Sequence, residues 1–279
     1  MAADEKPSRL PWQPLTFKGV ASFAQAPASR LTFIQALVAC SAVGSVLCFF
    51  FLAWEPVIRE AVLQLPERGA IRRGQLDWNG SDPQWLAGNS FLSIAVELNP
   101  IGSLGSSADL QLELGRREIR LRSLLGVVAV PYPTGWIISA NRQELEPWWG
   151  AWRLLVFSGL GGFVFASLFV IWWLLATIYS SPVRFIAFYA DREITFGGSW
   201  RLACAALMPG ALLMSVSILA YALQRFNLVQ LIFATLLHVV IGWFFVLIAP
   251  FRLPRIHSGN RKTQSRNPFS KRSSAKSRK

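Results

Sequence analysis

Charged residues are absent from four long stretches of the chain, and this pattern dominates the sequence. The stretches contain no Asp, Glu, Lys or Arg and cover residues 31–54, 154–178, 202–223 and 228–251. A helix needs about 20 apolar residues to cross the hydrocarbon core of a bilayer, so each stretch is long enough. A buried core helix of a soluble protein is the alternative, but such helices seldom run this far without a charge. The pattern therefore predicts four transmembrane helices.

The segment between the first two predicted spans, residues 55–153, has a different pattern. Residues 109–114 alternate polar and apolar side chains, Gly115 and Arg116 follow as a turn signal, and the alternation then resumes. This period of two residues predicts a β-hairpin with one apolar face. Further strands are expected over residues 71–78, 91–98, 124–130 and 136–139, with a short helix over 57–65.

The expected fold is therefore a membrane α-helical protein with four transmembrane helices and an inserted β-rich extracytoplasmic domain, α+β overall. The inserted domain should hold five or six strands, mostly antiparallel. Residues 1–30 form an N-terminal segment whose apolar part, residues 15–23, is expected to lie on the membrane surface. Residues 179–201 are expected to form a loop, and residues 252–279 a disordered basic tail.

The net charge of the chain at first suggests a different class of protein. The chain has 28 Lys and Arg against 15 Asp and Glu, a formal net charge of +13, which by itself suggests a nucleic-acid binder. Yet 53% of the residues are hydrophobic and only 15% are charged, and mean hydropathy is +0.38. The basic residues cluster before the first span, between the second and third, and in the tail. The positive-inside rule then predicts cytoplasmic termini. The 55–153 domain should face the periplasm in a bacterial inner membrane, or the lumen in a eukaryotic protein.

The basic tail has several possible partners. Anionic lipid is the simplest, because each basic residue near such a surface contributes about 1 kcal/mol. Ribosome or RNA contact is less favoured, since Phe269 is the sole aromatic residue after Phe251 and stacking surfaces need several. Protein docking is the third alternative. The bilayer itself and an unknown protein partner for the 55–153 domain complete the expected set.

Catalytic chemistry finds little support in the sequence. The 55–153 segment contains neither His nor Cys, which excludes His-based metal sites and Cys–His or Ser-His-Asp nucleophiles there. The acids of residues 77–82 lack the ligand pattern of a calcium loop and fit a turn better. Glu144 and Glu146 are more simply a solvated approach to the membrane than an acid/base pair. We expect no enzyme activity, no cofactor and no metal.

Two polar side chains fall inside the predicted spans. His238 lies in the fourth span and Gln35 in the first. A histidine in a membrane can relay protons, but the spans contain no carboxylate that would complete a relay. Both residues are therefore predicted first as hydrogen-bonding positions between helices.

Small residues recur at four-residue spacing within the spans. Gly44, Gly162 and Gly210 are the centres of these patterns and are predicted helix-packing positions, because small residues let helix backbones approach closely. The spacing does not distinguish packing within one chain from dimerisation. Pro209 precedes Gly210 and is expected to kink the third helix.

Several short motifs resemble a known family. Residues 199–202 are Ser-Trp-Arg-Leu and lead into Leu-Met-Pro at 207–209, while residues 65–76 and 91–97 are similar to that family's paired strands. The chain resembles an uncharacterised family of bacterial integral membrane proteins with an extracytoplasmic domain between the first two helices, and its later helices loosely resemble Yip-type membrane proteins. It departs from the family at residues 97–99, where Glu-Leu-Asn replaces an Asp-Thr. The resemblance implies this topology and no activity.

These observations favour a non-enzymatic inner-membrane protein that presents a periplasmic binding or assembly module. A subunit of a transporter or of a membrane-protein insertase is the alternative, motivated by the small-residue helix faces, Pro209, His238 and the tail. A membrane-embedded enzyme is the third and least favoured hypothesis.

Overall fold

The computed structural model describes residues 13–80, 82–99 and 108–255. The predicted basic tail beyond residue 255, with its proposed lipid contacts, and the first twelve residues lie outside these ranges.

Helices account for most of the described chain. They are α1 (Phe17–Ser22), α2 (Ala28–Phe49), α3 (Glu55–Leu63), α4 (Arg142–Tyr189), α5 (Phe196–Ala206), α6 (Met208–Ala222) and α7 (Leu228–Ile248). A π-helical segment, Phe50–Trp54, joins α2 to α3, and a 3-10 turn, Ala249–Arg252, follows α7. Four helical runs are long and apolar enough to cross a membrane: Ala28–Leu63, Arg142–Tyr189, Phe196–Ala222 and Leu228–Arg252.

These four runs match the four charge-free stretches, but the second and third extend further than expected. The first continues through α3, which is the short helix expected after it. The second continues as α4 to Tyr189, and the third begins at Phe196. The expected loop over residues 179–201 is therefore reduced to residues 190–195. The first charged residue after an apolar stretch predicts where a helix leaves the hydrocarbon core of a bilayer. It does not predict where the helix ends, because the backbone hydrogen bonds continue past an exposed side chain such as Arg184.

The chain divides into two compact units that cut across its helices. The terminal unit comprises residues 1–34, 172–209 and 241–279, and the sheet unit comprises residues 35–171 and 210–240. Each of the four apolar runs contributes residues to both units. The strands and parts of all four runs thus belong to the sheet unit. The expected division into a membrane part and an inserted β domain stays a prediction.

Eight strands form two sheets in the described part of the sheet unit. They are β1 (Gly69–Arg72), β2 (Gln75–Trp78), β3 (Gln84–Gly88), β4 (Leu92–Val96), β5 (Leu110–Leu114), β6 (Glu118–Ser123), β7 (Gly126–Pro131) and β8 (Ile138–Ser139). The three-stranded sheet has the order β2-β1-β8, and the five-stranded sheet has the order β3-β4-β5-β6-β7. Every pair is antiparallel except β4–β5.

The β-rich expectation is confirmed, but the strand count was too low. The segment expected as one strand over 71–78 is a hairpin, since Arg73 and Gly74 adopt positive φ angles of 50° and 74° and reverse the chain. Strand β3 was missed because its Trp, Ala and Gly residues show no clear alternation. The β5–β6 hairpin lies where the alternation predicted it.

One face of the five-stranded sheet packs against α3 and the smaller sheet. The buried core of this region consists of Val57, Ala61, Ile71, Leu76, Leu86, Ala87, Leu92, Val96, Tyr132 and Ala140. Val57 and Ala61 are four residues apart, so they lie on one face of α3. Helix α3 is the short helix expected after the first span, and the apolar face of the sheet explains why it is amphipathic.

In the terminal unit, α1 is packed into protein. The ring centroid of Phe17 lies 5.7 Å from that of Phe244 and 4.7 Å from that of Phe245. Val20 and Phe23 are 0% and 1% exposed, and Thr16 caps the helix by accepting a hydrogen bond from the Gly19 N–H. Neighbouring protein therefore buries Val20 and Phe23, whereas Leu15 is 57% exposed. The expectation that this stretch lies on the membrane surface stays a prediction.

Candidate functional site

The five-stranded sheet buries charge on the face opposite its apolar core. Glu113 in β5 is fully buried, and its Oε1 lies 2.6 Å from Arg122 Nε while its Oε2 lies 3.4 Å from Arg120 Nε. Arg120 also donates from Nη2 to the carbonyl of Glu97 at 2.7 Å. Gln111, two residues before Glu113 on the same face, donates to Glu113 Oε1 at 3.1 Å. The carboxylate is thus held between two guanidinium groups and an amide.

This arrangement fits a structural role better than a catalytic one. A general base must reach a substrate proton, but Glu113 is enclosed and its oxygens already face cations. A buried carboxylate of this kind requires its partners, because an unpaired buried charge costs several kcal/mol. Glu113 therefore ties β5 to β6 and fixes the register of the hairpin.

Tyr132 closes the far end of the same hairpin. Its hydroxyl donates to the carbonyl of Gly115 at 3.0 Å. Burial raises the pKa of Tyr132 to about 12; the positive charge of Arg120 lowers this pKa and the negative charge of Glu118 raises it. The phenol therefore stays protonated and keeps donating at any physiological pH.

The opposite end of the sheet is bonded to the helix ends of the sheet unit. Asn89 Nδ2 donates to the carbonyl of Ala53, in the π-helical segment, at 2.6 Å. At the end of α6, the Tyr221 hydroxyl donates to Asp109 Oδ2 at 2.6 Å. The amide of Gln224, just beyond α6, donates to Ser90 Oγ at 3.1 Å.

Aromatic rings add further contacts between this end of the sheet and the helix ends. Phe91 makes edge contacts with Phe49 and Tyr221 at centroid distances of 5.6 and 4.8 Å, and Phe49 stacks on Tyr221 at 5.4 Å. Phe91 is 6% exposed. We call the residues 89–91 and 109, with their helix partners 53, 221 and 224, the sheet anchor.

A polar cleft lies beside the sheet anchor. Its volume is about 470 Å³, and its lining includes Asp109, Tyr221, Gln224, Arg225 and Asn227. Asp109 already accepts the Tyr221 hydrogen bond, and the lining holds no cysteine or histidine. Within the described chain, no group of three or more His, Cys, Asp and Glu side chains could hold a metal ion.

The two edges of the five-stranded sheet differ. At one edge, β3 has a register irregularity between Trp85 and Ala87 and packs against α3. At the other edge, β7 pairs with β6 and with no other strand of the described residues, and all six of its residues are exposed. Its sequence, Gly-Val-Val-Ala-Val-Pro, carries no charge. Natural sheets protect their edges with charges, proline, bulges or covering elements. Strand β7 has no charge, its one proline is its last residue, Pro131, and no strand of the described chain covers its edge.

The hydrogen-bond alternation shows which backbone groups β7 leaves free. The N–H of Tyr132 donates to the carbonyl of Arg117, the residue directly opposite in the ladder. In an antiparallel pair every second residue points its N–H and C=O toward the partner strand. Val127 and Ala129 therefore point their N–H groups away from β6, toward the open edge.

The predicted intramembrane polar residues take different environments. His238 in α7 has its Nδ1 2.6 Å from the carbonyl of Thr235, one turn earlier in the same helix. Gln35 in α2 is fully buried, and neither its Oε1 nor its Nε2 has a hydrogen-bond partner among the described residues. A role for either residue between helices stays a prediction.

The three predicted packing glycines are not equivalent. A Cβ placed on Gly210 would lie 2.6 Å from the carbonyl oxygen of His238, so α6 and α7 approach closely there. A Cβ on Gly44 or Gly162 would meet no atom of the described chain within 4 Å. On α4 the close contact falls one residue earlier, at Gly161, whose Cβ would lie 3.4 Å from a side-chain atom of Val43. Packing at Gly44 and Gly162 stays a prediction.

The third apolar run is interrupted beside Pro209, and a kink there stays a prediction. Helix α5 ends at Ala206 and α6 begins at Met208, so the third apolar run is interrupted at Leu207. Proline lacks the N–H that would continue the ladder, and it is tolerated in the first turn of a new helix.

The remaining acidic candidates serve as local hydrogen-bonding groups. Asp82 accepts from the Leu98 N–H and the Asn99 amide at 2.9 and 3.2 Å. Glu144 accepts from Ser139 and Asn141, and Asn141 caps α4 by accepting from the Glu144 N–H at 3.0 Å.

Arginines of the terminal unit bind backbone carbonyls. Arg192 Nη1 donates to the carbonyl of Leu253 at 2.6 Å, and Arg201 Nη2 donates to that of Ala24 at 2.9 Å. Arg184 instead lies over the ring of Phe196, 5.7 Å from its centroid, beside a groove of about 630 Å³. Two of the three basic residues between the second and third apolar stretches therefore also bond the chain to itself.

Comparison of the chain with protein-family models, with curated proteins and with solved structures finds no match. The resemblance to the bacterial membrane-protein family therefore stays a prediction.

Proposed function

We propose that this chain is a multi-pass protein of a bacterial inner membrane whose sheet domain is a non-enzymatic binding or assembly module on the periplasmic side. The observation that carries the proposal is the uncharged, exposed edge of β7, which no strand of the described residues covers. Support for the membrane placement comes from the four long apolar helical runs. Support for the orientation comes from the basic residues near both termini.

The β7 edge defines the chemistry of the partner. Outward N–H groups of Val127 and Ala129 fit the carbonyls of an added strand, as in other cases where an extended segment joins a sheet edge. Val127, Val128 and Val130 are 56%, 60% and 48% exposed and favour apolar side chains in that strand. The proposed partner is thus an extended, uncharged segment of another protein at the same membrane face.

A transporter or insertase subunit is the second candidate. One observation favours it: the amide of Gln35 is buried and unpaired among the described residues, as expected for a group that binds a partner helix or a transported polar species. The β7 edge has no explanation in this alternative, so the binding module is the preferred function.

Blocking the β7 edge should abolish partner binding without unfolding the sheet. In Ala129→Pro, the ring removes an N–H that faces away from β6, and proline is tolerated at such an edge position. With a photo-crosslinking amino acid at Val127, cells carrying the otherwise unchanged chain should give a discrete adduct on gels. The Ala129→Pro variant should lose at least about 80% of it, since strand pairing depends on the backbone bonds.

Ala129→Val is the matched control, because it keeps the N–H and the strand propensity, and it should retain the adduct. The crosslinker at Arg116, an exposed turn residue beyond the far end of β6, reports background. An adduct of equal intensity at Val127 and Arg116, or one insensitive to Ala129→Pro, would contradict strand addition.

Reporter fusions should reveal the orientation. Alkaline phosphatase is active only outside the cytoplasm, so fusions at residue 100 and at Arg225, between α6 and α7, should be active. A fluorescent-protein fusion at residue 270 should fluoresce, since that reporter matures in the cytoplasm. The reverse pattern would overturn the periplasmic placement of the sheet domain.

A further inference from the structure

The β6–β7 turn has an unusual sequence for its position. Ser123 pairs with Gly126, so Leu124 and Leu125 form a two-residue turn. Such turns favour Asn, Asp and Gly, and here Gly126 supplies the positive φ, 123°. The two leucines are 65% and 92% exposed. Full exposure of two leucines to water at a hairpin tip is unfavourable, because each buried leucine side chain gains about 2 kcal/mol.

The ladder places this tip at the anchored end of the sheet. Leu92 pairs with Leu110, Leu110 pairs with Ser123, and Ser123 pairs with Gly126. These residues form one row across the four strands β4 to β7. The sheet anchor immediately precedes this row: Ser90 and Asp109 are bonded to Gln224 and Tyr221. The leucine tip is therefore on the same end of the sheet as the helix termini.

The helix residues bonded to the sheet anchor show where this end of the sheet lies relative to the apolar part of the helices. Tyr221 lies one residue before the end of α6, and Ala53 lies two residues before Glu55, the first charge after the first apolar run. Both positions mark the boundary where apolar helix gives way to polar residues. Neighbouring strands are about 4.8 Å apart, so Gly126 is about 10 Å from Leu110 along the row. The tip thus lies at the end of the sheet that is bonded to this boundary, two strands away from β5.

We propose that Leu124 and Leu125 insert into the outer leaflet of the bilayer and form a second membrane attachment for the sheet domain. The occupant of this apolar surface is lipid, since the tip lies at the end of the sheet that is bonded to helices whose own exposed surfaces are apolar. The proposal rests on the membrane placement proposed above and goes beyond it. It also orients β7: the strand begins at the bilayer and runs away from it, so its free edge rises from the membrane surface.

Depth-dependent quenching tests the proposal on the full chain. A variant with Cys40, Cys48 and Cys204 replaced by alanine receives one new cysteine and an environment-sensitive fluorophore. It is reconstituted into phosphatidylcholine–phosphatidylglycerol vesicles, with or without a lipid bearing a nitroxide on its acyl chain. Leu125→Cys and, separately, Leu124→Cys should lose at least half of their fluorescence to the nitroxide lipid and be protected from iodide in water.

Two further positions make the outcomes distinguishable. Arg116→Cys, in the turn at the other end of β6, should be quenched by iodide and not by the nitroxide lipid. Phe163 in α4 is 71% exposed, so Phe163→Cys reports whether the helix itself is embedded in the membrane. If Phe163→Cys is quenched by lipid while both leucine positions behave like Arg116→Cys, the insertion proposal is overturned and the membrane placement stands. If Phe163→Cys also escapes the lipid quencher, the membrane placement fails with it.

Discussion

Replacing Glu113 with glutamine should lower the free energy of opening of the β5–β6 hairpin by about 3 kcal/mol. The substitution keeps the shape of the side chain but removes the negative charge between Arg120 and Arg122. Two guanidinium groups then face each other without a counter-charge, and Arg120 is almost fully buried. Because the Arg122 side chain is 30% exposed, water offsets part of the loss, and the effect lies at the low end for a broken buried pair.

Amide hydrogen exchange is the appropriate measurement, since it reports local opening in the intact chain. Peptides from β5 and β6 of the Glu113→Gln variant, in detergent micelles, should exchange roughly a hundredfold faster than those of the unchanged chain. Glu146→Gln is the matched control: Glu146 pairs with Arg142 at 3.1 Å, but both side chains are about half exposed. That variant should change exchange by a factor of about two or less. Similar behaviour of the two variants would mean that the Glu113 network is hydrated and contributes little.

The second large effect is expected at Gly210. In Gly210→Ala the new Cβ would lie 2.6 Å from the carbonyl oxygen of His238, and the obstacle is backbone, which cannot rotate away. Either the helix backbones separate or the contact is strained, at a cost of about 2 kcal/mol. In a helix, alanine is otherwise more stabilising than glycine by about 1 kcal/mol. A net loss of stability in Gly210→Ala would therefore come from the close packing of the two helices.

Gly44→Ala and Gly162→Ala are the matched controls, because their new Cβ atoms would meet no described atom within 4 Å. The three variants are compared by thermal unfolding in the same detergent. Only Gly210→Ala should melt at a lower temperature, and the other two should be unchanged or slightly stabilised. A loss at Gly44 or Gly162 equal to that at Gly210 would instead indicate contact with a second chain, which light scattering would reveal as a change in mass.

The four apolar helical runs were predictable because the physical requirement for crossing a bilayer acts on a continuous stretch of sequence. A stretch without charge and about 20 residues long is readable from the chain, and all four such stretches lie in long helical runs. The ends of these runs were less predictable. Helix α4 continues past Arg184 to Tyr189, since hydrogen bonds along the backbone do not depend on where hydrocarbon stops.

The polar face of the five-stranded sheet could not be predicted from alternation. The pattern over residues 109–114 correctly indicated a strand, and it assigned the apolar residues to the core and the polar ones to water. In the fold Gln111 and Glu113 are fully buried, whereas Leu112 is partly exposed. An alternating sequence indicates that a strand has two different faces. It does not show whether the polar face is buried, because the chain segments that bury it are distant in sequence. The signal that was present is charge: Glu113 and two arginines in one hairpin.

The two leucines of the β6–β7 turn are visible in the sequence, but their position in the fold cannot be inferred without the strand order. Leu124 and Leu125 were assigned to a strand, although a hairpin turn with two leucines is unusual by itself. Only the strand order, with β4 and β5 parallel and the sheet anchor at their beginning, places that turn at the anchored end of the sheet.

By itself the sequence determined the class of this protein: four apolar helices, a β-rich segment between the first two, and a charge distribution that predicts an orientation. These properties follow from local composition and periodicity, because hydrophobic transfer and strand alternation act on neighbouring residues. Tertiary structure alone decided which groups matter within that class. It paired Glu113 with its arginines and brought Gly210 against the His238 carbonyl. It also left β7 without a second partner strand among the described residues and placed the leucine tip at the anchored end of the sheet. Each of these depends on the register of chain segments far apart in sequence, which no local pattern specifies.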